Sequence, residues 1–260
     1  MPVHSAPIRS EPGGPARPIA DLSYNELNQI DLLLTLQQPI PGAPDALFFV
    51  AAHQITELWF KVILHELDGA RRAMDADALP EARRRLARVA RGEEVLVCHL
   101  RAVGTITPGD FALLRAQLGT SSAYESAQFR EIEFVSGRKD ARFLEGPRVT
   151  GAERARLAAR LSEPSLADAF EALLDRRGRP DLARVLAGDA DPELGALIEA
   201  LIEHDEGFAR WRHGHALMTE RIIGYRAGTG GTGGVDYLRS TVGERFFPQL
   251  WAARSAVYDS

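Results

Sequence analysis

The chain has 260 residues, of which 45% are hydrophobic and 26% charged, an ordinary globular composition for one or two domains. A formal net charge of -5 gives no general attraction to polyanions, so nucleic acid is set aside as a partner. Cys98 is the only cysteine, which excludes an internal disulfide, a paired-cysteine redox motif and a cysteine-rich zinc site.

Residues 1–19 carry Arg9 and Arg17 among Pro2, Pro7, Pro12, Pro15 and Pro18, and read as a disordered tail. No secretory apolar segment follows, and no apolar run approaches the roughly 18–20 residues of a membrane helix. The expected location is therefore the cytoplasm, with no membrane partner. Residues 20–260 read as one all-α domain.

Its first helix is expected from Asp21 to Gln38, with Leu22, Ile30, Leu33 and Leu34 at helical spacing before Pro39 and Pro41. A long helix from about Pro44 to Met74 follows, with Leu47, Val50, Ile55, Trp59, Val62 and Leu67 as inward candidates. A second runs from about Pro80 to Val103, where Leu86, Val89, Val95 and Leu96 alternate with an arginine-bearing face. Thr107-Pro108 has the form of an N-cap and first helical residue for a short helix reaching Leu118. Another is expected over 121–136, ended by Gly137. Residues 138–190 suggest several short helices, and Pro192 to about Tyr225 a second long one. No alternating strand pattern stands out.

Four places invite chemistry. His53 lies on the first long helix with Phe49 one turn before it on the same face. A lone histidine on an apolar face is more often a hydrogen-bonded core residue than a catalytic one. Phe111 and Arg115 repeat the spacing on the short helix, and a guanidinium is the best side chain for gripping a carboxylate, though a solvated surface arginine is the commoner case. His213 and His215 stand two apart, so on a continuous helix they point about 200° from each other and cannot chelate one ion. His215, with Trp211 a turn before it and Met218 and Thr219 about a turn after, suits a neutral imidazole facing an apolar cofactor such as heme. The run Gly228–Gly234 lacks the lysine ending and the strand–helix setting of a phosphate loop, and reads as backbone that closes over a ligand or as a plain surface loop.

These segments together resemble the tryptophan 2,3-dioxygenase family from about Tyr24 to Arg254. Four blocks come in the family's order: His53-Gln54 with Glu57 to Lys61; Thr107-Pro108 through Phe111 and Arg115; Gln128-Phe129-Arg130 with Glu133; and Gly228 to Gly231 followed by Asp236 to Thr241. The resemblance implies an all-helical fold of that type, a b-type heme that is active as Fe2+, dioxygen as co-substrate and a homotetramer. It implies that His215 is the axial iron ligand and His53 the distal histidine near the indole nitrogen. It further implies that Arg115 binds the substrate carboxylate, Phe49 and Phe111 wall the indole, Thr229 helps hold the amino-acid group, and Tyr24 reaches a neighbouring subunit's pocket. The expected reaction inserts dioxygen across the indole C2–C3 bond of L-tryptophan, giving N-formylkynurenine. Departures from the family lie at Ala123 beside Ser122 on the distal heme face, where a glycine is usual, at Leu27 and Asn28, and at Ala46. They leave open a related heme enzyme that inserts a single oxygen into a tryptophan derivative to give an oxindole-type product.

Overall fold

The computed structural model describes residues 18–119, 125–146, 148–228 and 233–258. The expected tail therefore lies, up to residue 17, outside the described residues. Among them the secondary structure is helical throughout, with no strand.

A 3-10 turn at Ile19–Asp21 leads into α1 (Tyr24–Asn28), opened by a Ser23–Glu26 capping box, and α2 (Ile30–Leu33). The single helix expected from Asp21 to Gln38 is thus broken. Gln29 sits in the left-handed region at φ 51°, and its N–H turns back to the Asn25 and Glu26 carbonyls, closing α1. Then come α3 (Ala46–Asp75), α4 (Leu79–Val103), α5 (Pro108–Leu118) and α6 (Ala127–Ser136). The short helix α5 begins as its sequence dictates: the Thr107 hydroxyl accepts from the Asp110 N–H at 3.2 Å, and Pro108 occupies the first turn. A 3-10 turn at Ala141–Glu145 precedes α7 (Gly151–Ser162), α8 (Leu166–Arg176) and α9 (Leu182–Leu186). The longest helix, α10 (Pro192–Ile223), is followed by α11 (Val235–Ser240) and α12 (Pro248–Ala256).

The frame is α3, α4 and α10, with α4 packed lengthwise against both of the others. Leu67, Leu86, Val89, Leu197, Ile198 and Leu201 are fully buried between them. The outward residues of α3 correct the sequence reading: Leu47, Ile55 and Val62 are exposed, together with Phe48 and Leu58, while Leu67 is buried. Val95 of α4 is also exposed. By length and composition α3 is apolar enough to cross a bilayer, contrary to the sequence reading. Its pairing with α4, α6 and α8, and the buried Glu66 held by Arg85 and Arg88 at 3.1 Å, pack one flank of it into the fold.

One polar chain crosses the middle of this frame. Glu93 of α4 accepts from His204 Nδ1 of α10 at 2.8 Å, and His204 Nε2 meets the Ser136 hydroxyl of α6 at 2.9 Å; all three are buried. Burial pushes the Glu93 carboxyl above the usual range, and His204 beside it opposes that rise. Next along, Asp205 accepts from the Phe246 and Phe247 N–H groups and from Trp251 Nε1 at 2.9–3.2 Å, fastening the C-terminal segment to α10. The Glu93 carboxylate fits only because residue 207 is glycine: a Cβ there would overlap it, with the carboxyl carbon 3.2 Å away. Gly207→Ala should cost about 2 kcal/mol, in the range for overpacking a tight core. Urea unfolding would measure it, and an unchanged midpoint would mean that Glu93 moves freely.

Candidate active site

The three long helices diverge on one side, and α5, α6 and α11 close the gap around a cavity of about 390 Å³. Three strips of side chain line it. From α3 come Phe49, Ala52, His53, Thr56, Glu57 and Phe60, residues that share a helix face at spacings of three and four. From α10 come Trp211, Arg212, His215, Met218, Thr219 and Ile222. Phe111 and Arg115 enter from α5, one turn apart.

Five of the residues singled out in the sequence therefore meet in one cavity: Phe49, His53, Phe111, Arg115 and His215. Tyr24 is exposed and takes no part in it. Ser122, Ala123 and Thr229 lie outside the described residues. His213 is exposed, turned away from His215 as helical geometry requires.

His215 looks into an apolar part of the cavity. Burial holds its imidazole well below the usual histidine range, at about 4, and the proximity of His53 adds to the effect. The ring is accordingly neutral at pH 7 and presents a nitrogen lone pair, the form in which histidine binds iron. Its solvent-facing surface opens onto the cavity, which accounts for partial exposure of a ring deep in the fold. Trp211, a turn earlier, stacks on it with centroids 5.0 Å apart and planes at 17°.

Across the cavity, His53 Nδ1 lies 2.8 Å from the Phe49 carbonyl oxygen. A carbonyl only accepts, so Nδ1 carries the hydrogen, and in the neutral tautomer Nε2 is left as an acceptor. Phe49 and His53 are 4.2 Å apart, and Phe49 and Phe111 are 6.2 Å apart, which gives one end of the cavity two aromatic walls. At that end Arg115 Nη2 donates to the Ala227 carbonyl at 2.9 Å, tying α5 to the segment that follows α10. Gly234 closes the far side of that segment at φ 65°, where a Cβ would stand 2.6 Å from the Arg226 carbonyl.

The opposite end is ionic. The Glu133 carboxylate, nearly fully buried, accepts from Arg130 Nη1 at 2.7 Å, Arg212 Nη2 at 2.8 Å and Arg138 Nη1 at 3.0 Å. Arg138 also pairs with Glu244, so among the described residues three guanidiniums meet two carboxylates here. Arg212 Nε is buried with no hydrogen-bond partner among the described residues. Sequence reading placed Gln128-Phe129-Arg130 and Glu133 in a family block but gave them no role in the site, because an ion cluster that joins Arg130 to Arg212 and Glu244 has no local spacing. His99, whose Nε2 lies 3.0 Å from the Ala52 carbonyl, also lines the cavity and was missed, having no neighbour in sequence that marks it.

The donor set fits a heme: a neutral imidazole, an apolar middle for a flat macrocycle, and a positive, incompletely bonded edge for its carboxylates. Among the described residues no group of three or more histidine, cysteine, aspartate or glutamate side chains is placed to hold a bare metal ion.

The sequence model of a family described as tryptophan 2,3-dioxygenase matches residues 15–180 and 188–257. A protein of that name from Nocardioides sp. is 42% identical, covering 91% of this chain and 95% of its own length. One from Caulobacter vibrioides is 38% identical over 90% of this chain and 98% of its own. One from Burkholderia pseudomallei is 36% identical over 91% and 85%.

Glu133→Ala should leave three guanidiniums without their shared acceptor and cost about 3–5 kcal/mol, the range for breaking a buried ion pair from one side. Thermal unfolding of the purified variant checks it; a melting temperature equal to wild type would show that the cluster carries no stability.

Proposed function

The chain belongs to the tryptophan 2,3-dioxygenase family, and from that premise we propose that it is a heme-dependent oxygenase that opens the indole C2–C3 bond of L-tryptophan with dioxygen, giving N-formylkynurenine. The observation that carries this reading is the placement of a neutral His215 and the Arg115 guanidinium in one cavity, with His53, Phe49 and Phe111 between them.

His215 holds the iron of a b-type heme, and the Arg130–Glu133–Arg212 cluster sets a positive charge at the porphyrin edge. When bound in its ferrous form, the heme supplies the position at which dioxygen is activated. The protein's own part is to hold tryptophan. Arg115 exchanges the Ala227 carbonyl for the substrate carboxylate, a stronger, charge-assisted partner. Phe49 and Phe111 pack the indole, and His53 Nε2 accepts from its N–H, fixing the ring's azimuth without removing a proton. Thr229 keeps the role of gripping the amino-acid group, and Ser122 and Ala123 that of bordering the distal face.

The working unit in this reading is a soluble, cytoplasmic homotetramer in which residues 20–260 form one helical domain. Two features support the assembly: Tyr24 stands exposed with Ile19, Leu27 and Leu32, and Leu47, Ile55, Leu58 and Val62 form an outward apolar stripe on α3. Tyr24 then completes a neighbouring subunit's pocket.

Anaerobic reduction followed by L-tryptophan and 18O-labelled dioxygen tests the reaction. The expected product carries two labelled atoms; a product with one would exclude ring opening and point to single-oxygen insertion. Arg115→Ala should raise KM for tryptophan at least about 30-fold, the effect of losing some 2 kcal/mol of a buried charged pairing. Steady-state kinetics read it directly, and a wild-type KM would remove Arg115 from the carboxylate's binding site.

A further inference from the structure

His215 makes no hydrogen bond or ion pair with another described residue; what fixes its ring is the indole of Trp211. The two planes lie within 17° at 5.0 Å, a stacked pair one helical turn apart on α10. The indole itself is not free to turn. Phe60 of α3 meets it edge-on at 5.9 Å and 71°, Phe129 of α6 lies against it at 5.1 Å and 37°, and Phe208 stacks beside it at 6.0 Å and 28°. Phe129 and Phe208 in turn stack on each other at 5.3 Å and 19°. Three helices therefore clamp one indole, and the indole sets one imidazole.

Metal-bound histidines are ordinarily oriented by a hydrogen bond from their second nitrogen, which sets the ring plane. A hydrogen bond constrains mainly the direction of one N–H. A parallel stack constrains the whole plane, because any twist about the ligand axis lifts one edge of the ring off its neighbour and forfeits contact. We infer that Trp211 is the positioning residue of the iron ligand: held by Phe60, Phe129 and Phe208, it fixes the azimuth of the His215 ring with respect to the cofactor. The inference rests on the heme reading above. Its consequence is that the ring reaches the iron in a single orientation set by the three-helix frame, and that α3 and α6, which bear no ligand, share control of that orientation.

The test separates the two claims. Heme loading, read from the Soret band, reports on the ligand assignment alone. The ring azimuth is read from the proton NMR shifts of the heme methyl groups in the cyanide-bound ferric protein, whose order and spread follow the plane of the axial imidazole. Wild type should show one methyl pattern, Trp211→Phe the same pattern, and Trp211→Leu a reordered or doubled pattern at full heme loading. A Leu variant with wild-type loading and an unchanged pattern would overturn the inference while leaving the heme reading intact. If the Leu variant does not fold, a crystal structure of the heme-loaded wild type decides: the His215 and Trp211 planes should remain within about 20°, near the 17° seen here, and a His215 ring rotated out of that plane would overturn the inference. A wild-type protein that takes up no heme would instead defeat the function proposed above.

Discussion

The carboxylate of Glu133 is the point on which the site depends. It joins α6, through its own backbone and Arg130, to α10, through Arg212, and to the turn after α6, through Arg138. A carboxylate so deeply buried would be costly to hold in place were it not for its three donors, and the arginines would repel one another without it. The mutual requirement leaves little freedom in how α6 meets α10. That meeting brings Phe129 against Trp211, and thus places the face of α10 that carries His215. Electrostatics at one end of the cavity and aromatic packing in its middle act on the same pair of helices.

The other end is built on looser terms. Phe49, His53 and Phe111 are braced by helix geometry and ring contacts, but Arg115 is tied to a backbone carbonyl in the glycine-rich connection after α10. A neutral acceptor is readily replaced by a charged one. The cavity thus has a rigid, ion-locked floor and an exchangeable roof, an arrangement suited to a permanent cofactor below and a substrate that comes and goes above.

Much of this was legible in the sequence where the signal was local. Thr107-Pro108 named the start of α5 to the residue, because a cap and a first-turn proline act within one turn. The opposite facing of His213 and His215 followed from the helical repeat alone. Periodicity misjudged α3, whose two apolar faces look alike as a string: only the partners of the fold decide that Leu67 is inside and Ile55 and Val62 outside. The first helix was misjudged for a different reason, since a left-handed residue at Gln29 has no compositional mark comparable to a glycine. In the site, the family blocks supplied His53 and Arg115, and helical spacing beside Trp211 marked His215, whereas the ion cluster and the clamp on Trp211 join residues from distant parts of the chain and became visible only in three dimensions.

The two-sidedness of α3 reaches further than its misreading. One flank carries Phe49, His53, Glu57 and Phe60 into the cavity, and the reverse flank offers Leu47, Ile55, Leu58 and Val62 to the outside. A rod gripped on only one side can rock; anything that leans on its bare side damps that rocking, and with it the play in His53.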